Sequence, residues 1–152
     1  MGRMYTANVS VAVTAAQDFF DLLAPATAVL VIHRIFLGQS SDAGDAQAEM
    51  LGVHISRSTA AGGGTGGSTL TARPHQFGHA ATAAVVEANN TTVSTVQTNI
   101  FEESFNVQAG WFHVPTPEER LVIPPSGTIC VGLTVPSDSL TMQGSITFEE
   151  ID

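Results

Sequence analysis

The residues with types suited to chemistry begin with Gly62, Gly64 and Gly67, which match the pattern G-x-G-x-x-G. That spacing binds a dinucleotide pyrophosphate only where a strand turns into a helix whose N-terminus receives the phosphate. Here Ser68-Thr69-Leu70-Thr71-Ala72-Arg73-Pro74 follows, which starts no amphipathic helix. A P-loop is excluded because the chain has no Lys. The motif therefore reads as part of a loop. Asp42, Asp45 and Glu49 are the best cation candidates, since carboxylates are the hard oxygen ligands that Ca²⁺ takes. Their spacing departs from an EF-hand loop, and they read as an acidic turn with Ser41 or Asp42 capping backbone amides.

The histidines are His33, His54, His75, His79 and His113. His75 and His79 stand at i, i+4 but lack an acidic neighbour and adjoin Pro74, so they do not form a helical metal motif. His33 and His54 fall on predicted strands, and with a carboxylate they would make a cupin-like metal centre if the sheet brought them together. Taken singly, all five read as hydrogen-bonded imidazoles. Gly38-Gln39-Ser40-Ser41-Asp42 lacks the last Gly of a nucleophile elbow. Cys130 is the only cysteine, which rules out an internal disulfide; it reads as a small residue on a packed strand face, not as a nucleophile. No catalytic, metal or cofactor residue is assigned.

Pro115-Thr116-Pro117-Glu118-Glu119-Arg120 is a stiff, charged loop, because each Pro fixes its own φ and restricts the residue before it. One reading is a surface turn. The other is a preorganised contact for a second protein chain, since preorganisation lowers the entropic cost of docking. Trp111 and Phe112 precede the loop and would anchor it or fill a partner's pocket. The contact candidates are accordingly Tyr5, Trp111, Pro115, Pro117, Glu118, Glu119 and Arg120.

The elements that must position these residues are strands. Ile129, Val131, Leu133 and Val135 alternate with Thr128, Cys130, Gly132 and Thr134, and Leu140, Met142, Ile146 and Phe148 alternate with Thr141, Gln143, Ser145 and Thr147. Further strands are predicted over Tyr5–Val13 with Val9, Val11 and Val13 inward, and over Gln17–Leu23, Val29–Leu37 and Met50–Arg57. Others are predicted over Thr92–Thr98, Ile100–Val107, Gly110–Val114 and Leu121–Ile123. Val29–Leu37 is apolar on both faces, the mark of a central strand covered on both sides by its own domain or by a partner subunit. Ala60–Ser68 is nearly all Gly, Ala, Ser and Thr and reads as a flexible loop or a long hairpin connection that tolerates shortening. Phe77–Ala88 is ambiguous, with a short helix over His79–Ala88 one option, and Asn89-Asn90-Thr91 marks a turn. The expected architecture is all-β: a single jelly-roll-like sandwich over residues 1–152, with extended loops and an N-terminal arm, Met1–Thr6.

The chain has 152 residues and is 43% hydrophobic and 12% charged, enough to bury a core without staples. A formal charge of −9 disfavours nucleic acid and anionic membranes and favours a basic protein surface as partner. Ala28–Leu37 is too short and, with His33 and Arg34, too polar to span a bilayer, and the N-terminal residues lack the continuous apolar run of a signal peptide.

Several longer segments carry a resemblance. Leu37-Gly38-Gln39-Ser40-Ser41-Asp42-Ala43-Gly44-Asp45-Ala46, Val86-Glu87-Ala88-Asn89-Asn90-Thr91-Thr92, Phe105-Asn106-Val107-Gln108-Ala109-Gly110-Trp111 and the Pro115–Arg120 loop resemble a family of small tailed-bacteriophage structural proteins. Asp138-Ser139-Leu140-Thr141-Met142 and Phe148-Glu149-Glu150 fit as well. The resemblance implies a capsid decoration (cement) protein: a β-sandwich homotrimer, made in the host cytoplasm, that binds the major capsid protein on the capsid exterior of the virion. It implies no catalytic residue, metal or cofactor. Two other classes stay open. A receptor- or carbohydrate-binding module of a phage tail or head fibre would need a groove lined with exposed aromatics, and Trp111 and Tyr5 are the only Trp and Tyr. A cupin-like metalloenzyme would need the His33–His54 convergence.

Overall fold

A computed structural model describes residues 2–41, 49–58 and 63–152. In chain order its strands are β1 (Arg3–Val13), β2 (Gln17–Leu23), β3 (Val29–Gln39), β4 (Met50–Ser58), β5 (Ser68–Leu70) and β6 (Arg73–Pro74). There follow β7 (Val85–Asn90), β8 (Gln97–Asn106), β9 (Trp111–His113), β10 (Val122–Ile123), β11 (Thr128–Leu133) and β12 (Leu140–Ile151). One sheet has the order β10-β3-β12-β1-β6, with β9 also on the free side of β3; the other runs β5-β7-β2-β11-β4-β8. Every pairing is antiparallel. The chain is all-β, and its one helical turn among the described residues is the 3₁₀ turn Pro117–Glu119.

The inner faces of the two sheets share one core. Tyr5, Ile32, Ile35, Leu37, Met142, Ile146 and Phe148 come from the first sheet, and Phe19, Phe20, Leu22, Ile55, Val131 and Leu133 from the second. Gly144 interrupts the inward series of β12 for a steric reason: a Cβ there would stand 2.5 Å from the Phe19 ring and 2.9 Å from that of Phe20. Each fully buried Leu, Ile or Phe of this set contributes about 1.5–3 kcal/mol relative to exposure.

Bulges account for strand patterns that simple alternation does not. On β3, Thr147 pairs with Arg34 and Phe148 with Ile32, leaving His33 as an extra residue. The bulge reverses parity, so Leu30 and Ile32 before it and Ile35 and Leu37 after it all point inward and are buried. The two apolar faces expected of Val29–Leu37 are thus largely one inward face read across a bulge, although β3 is indeed interior, flanked by β12 and by β9 and β10. β11 is covered on both sides, all six residues being buried, and so is β2 over its first six.

Other expectations are corrected. Arg3 to Val13 pair along β12 from Glu150 to Leu140, so from Arg3 onward the N-terminal segment is a sheet strand and not an arm; Met1 lies outside the described residues. No helix forms over His79–Ala88, where Val85–Asn90 is β7. Asn89 and Asn90 close that strand instead of turning, Asn89 with φ 60°. Thr92 makes only an isolated bridge to Thr65, and the predicted strands flanking Asn99 merge into β8. From Gly63 onward the Gly-rich segment is docked on the sheet: Thr65 and Thr92 exchange backbone hydrogen bonds of 2.9 and 3.0 Å, and Ser68–Leu70 adds β5 to the edge of β7. Ala60, Ala61 and Gly62 lie outside the described residues.

Candidate functional site

Two of the contact candidates are interior. Tyr5 is fully buried; its ring stacks on Phe148 at 5.8 Å and its hydroxyl donates to the Ala80 carbonyl at 3.1 Å. Trp111 is buried, and its indole N–H donates to Glu103 Oε2 at 2.7 Å. That bond ties β9 in one sheet to β8 in the other, with His113 stacked on the indole at 5.9 Å. Trp111 is therefore held inside the sandwich by Glu103 and His113 and does not present a face to solvent. The only Trp and the only Tyr being interior, neither offers an exposed aromatic platform.

The loop itself is ordered by local bonds. The Glu119 amide donates to the Thr116 carbonyl at 3.0 Å, closing the 3₁₀ turn, and Thr116 Oγ1 donates to Glu119 Oε2 at 3.2 Å. Pro117, Glu118 and Glu119 are exposed, while Pro115 and Arg120 are half-buried.

This loop flanks the open side of the sandwich. β8 is hydrogen-bonded only to β4 within its sheet, and β9 and β10 only to β3, so here both sheets present an edge. Large apolar side chains gather along it: Val96, Ile100, Phe112, Val114 and Val122 are all exposed. A groove of about 1220 Å³ runs between the start of β8 and the Leu121–Ile129 segment, with Val96, Ile100, Val122 and Pro124 in its walls. A separate hollow of about 320 Å³ is lined by Phe112, Val114 and Glu119 among others. His113 lies at this hollow with Nε2 buried and unpartnered, and burial pushes its pKa below the ordinary imidazole value. Unpaired strand edges with apolar side chains are surfaces that proteins normally cover or charge.

A second cluster, not anticipated from the sequence, lies on the outer face of the β2 sheet. Asp18 and Asp21 are three residues apart and on a regular strand would face opposite ways. Val131 pairs with Phe20 and Gly132 with Asp18, so Phe19 is a bulge residue and both carboxylates emerge on the same side as Cys130. Ligand atoms of Asp18, Asp21 and Cys130 lie within 4.8 Å of one another, and all three residues are buried. Asp18 Oδ2 accepts from the Ser94 amide at 2.9 Å, and both its oxygens accept from Gln97 Nε2 at 3.1 Å. Asp21 Oδ2 accepts from the Gly64 amide and from Asn90 Nδ2, each at 2.6 Å. Burial pushes the Asp21 carboxyl above the usual carboxylate range, against the pull of Cys130, Asn90 and Gly64; burial and the Asp21 charge push the Cys130 thiol far up.

The Gly-rich segment roofs this cluster. A Cβ on Gly64 would stand 2.6 Å from Asp18 Oδ2 and 2.7 Å from the Thr92 carbonyl, and one on Gly67 would stand 2.2 Å from the Ala88 carbonyl. Close backbone approach is what these glycines supply. One N–H of the loop, that of Gly64, does donate to a carboxylate, but the carboxylate is that of the chain's own Asp21.

The remaining candidates stay apart. His33 is on the first sheet beside Glu149, 3.1 Å away. His54 is on the second, over Gly132, so the two imidazoles do not converge. His75 bonds Thr6 at 2.7 Å. Asp42 and Asp45 lie outside the described residues, and Glu49 accepts a hydrogen bond from the Ser137 amide. No family model, curated protein or solved structure matches this chain.

Proposed function

We propose that this chain is a non-enzymatic structural protein of a tailed-bacteriophage head, a decoration protein that trimerises and braces the outside of the capsid shell. The observation that carries the reading is the open side of the sandwich. There the unpaired edges of β8, β9 and β10 bring five exposed apolar side chains into one strip beside a rigid acidic loop. A strip of this kind favours burial against protein. In the proposed trimer a neighbouring copy covers it, each copy using the same patch under threefold symmetry. Glu118 and Glu119 on the loop and the net charge of −9 favour a basic surface on the major capsid protein.

The jelly-roll part of the reading draws support from strand order. The series β1-β12-β3-β9/β10 and β2-β11-β4-β8 have the order that two interlocked Greek keys would give, with β5, β6 and β7 inserted between β4 and β8. Co-sedimentation with phage capsids stripped of the protein tests the function. Saturable binding of the wild type, weakened by salt and lost in Glu118→Lys/Glu119→Lys, is the expected result. No binding to such capsids at low salt would overturn it.

A further inference from the structure

We infer that Asp18, Asp21 and Cys130 form a closed structural site for one Zn²⁺-class cation, roofed by the backbone of Gly63 and Gly64. The inference is independent of the proposed function. Two carboxylates and a thiol are buried within 4.8 Å of one another, and the groups donating to the carboxylates are neutral: the Gly64 and Ser94 amides and the side chains of Asn90 and Gln97. Negative charge gathered away from water needs a compensating positive charge, and among the described residues no Arg or His forms an ion pair with Asp18 or Asp21.

Two observations point to a ligand. Asp21 Oδ1 is buried and accepts no conventional hydrogen bond, so one carboxylate oxygen is left open while Oδ2 is held by two donors. Independently, Ser56 is wholly buried with its Oγ unpartnered. Cys130 pairs with Asp21 on one side and with Ser56 on the other. In a pleated sheet these cross-strand neighbours project from the same face, so Asp21, Cys130 and Ser56 form one row with the open Oγ at its end. A buried hydroxyl and a buried carboxylate oxygen left unmatched on one row are costly without an occupant.

The donor set selects the ion. A thiolate favours Zn²⁺ and similar borderline metals over Ca²⁺ and Mg²⁺, which take oxygen ligands in larger number. Zn²⁺ binds oxygen at about 2.0–2.2 Å and sulfur at about 2.3 Å in tetrahedral sites, so small side-chain rotations would bring this cluster onto one ion. Ser56 Oγ, or a water held by it, completes four ligands. The bonds from Gln97, Ser94, Asn90 and Gly64 would then orient the ligating carboxylates from behind. Binding converts the Cys130 thiol to thiolate and releases its proton to solvent.

The test uses the full-length chain. Elemental analysis of protein purified without chelator, and of protein refolded with Zn²⁺, should give about one Zn per chain. Refolding with Co²⁺ should give a thiolate-to-metal charge-transfer band that is absent in Cys130→Ser. The wild type should melt at a higher temperature with Zn²⁺ than after chelation, a readout that does not depend on any variant folding. Wild-type protein that takes up no metal under either condition would overturn the site. So would Co²⁺ binding with no thiolate band.

Discussion

Replacing Gly64 with Ala tests whether the Gly-rich segment is a packed roof. The added Cβ would stand 2.6 Å from Asp18 Oδ2, 2.7 Å from Asn90 Cβ and 2.7 Å from the Thr92 carbonyl. The carbonyl cannot retreat freely, because it accepts the Thr65 amide at 2.9 Å in the bridge that holds the segment down. Overpacking of this kind costs about 1–3 kcal/mol. Displacing the loop also weakens the 2.6 Å bond from the Gly64 amide to the buried Asp21 carboxylate, and a bond to a charged group contributes about 1.5–3 kcal/mol. The two together predict a loss of about 2.5–6 kcal/mol, which for a chain of this size lowers Tm by roughly 5–20 °C. Urea unfolding followed by tryptophan fluorescence reads the change as a shift in midpoint at constant slope. A loss below about 1 kcal/mol would refute the reasoning and return the segment to the flexible loop that its composition suggests.

Other expectations follow from the open side and its anchor. Val122→Glu, at a position 60% exposed, should leave monomer stability within about 0.5 kcal/mol but convert the proposed trimer to monomer in light scattering. Trp111→Phe removes the donor to Glu103 and should cost about 1–2 kcal/mol in thermal unfolding. His113 has a pKa lowered from 6.5 by burial, so the folded state resists its protonation. The unfolded chain then binds more protons below about pH 6.5, and stability falls as pH drops through that region. The NMR titration midpoint of His113 should lie below 6.5, and His113→Gln should flatten the acid-side decline in stability.

The β11 and β12 strands were legible because alternation runs through most of each, and the core residues Ile129, Val131, Leu133, Met142 and Phe148 follow from it; Val135, expected to continue the first series, lies beyond β11 and is exposed. The bulges were not legible, since Phe19, His33 and Ile100 each insert one residue opposite a partner strand that the sequence does not identify. The Asp18–Asp21–Cys130 cluster was hidden for the same reason: a separation of three reads as opposite faces until the bulge is known. Asp18 and Asp21, set among Phe19, Phe20, Leu22 and Leu23, were the available signal. Tyr5 and Trp111 suit a contact by type, but only the fold reveals that their polar atoms are matched internally to Ala80 and Glu103. Glycine content likewise carries no information on how closely a backbone approaches its neighbours, which is what decides whether Gly64 and Gly67 lie in a loose loop or a docked one.

The central claim is tested most directly by electron cryomicroscopy of phage capsids lacking this protein, imaged after saturation with the purified chain. Three weak contacts at one position can raise affinity by about 10²–10⁴ over a single contact. The proposal accordingly predicts trimeric density on the outer surface at quasi-threefold positions, with β8, β9 and β10 buried between copies and the Pro115–Arg120 loop toward the shell. Density confined to the tail or portal, or capsids that stay bare at saturating protein, would contradict it.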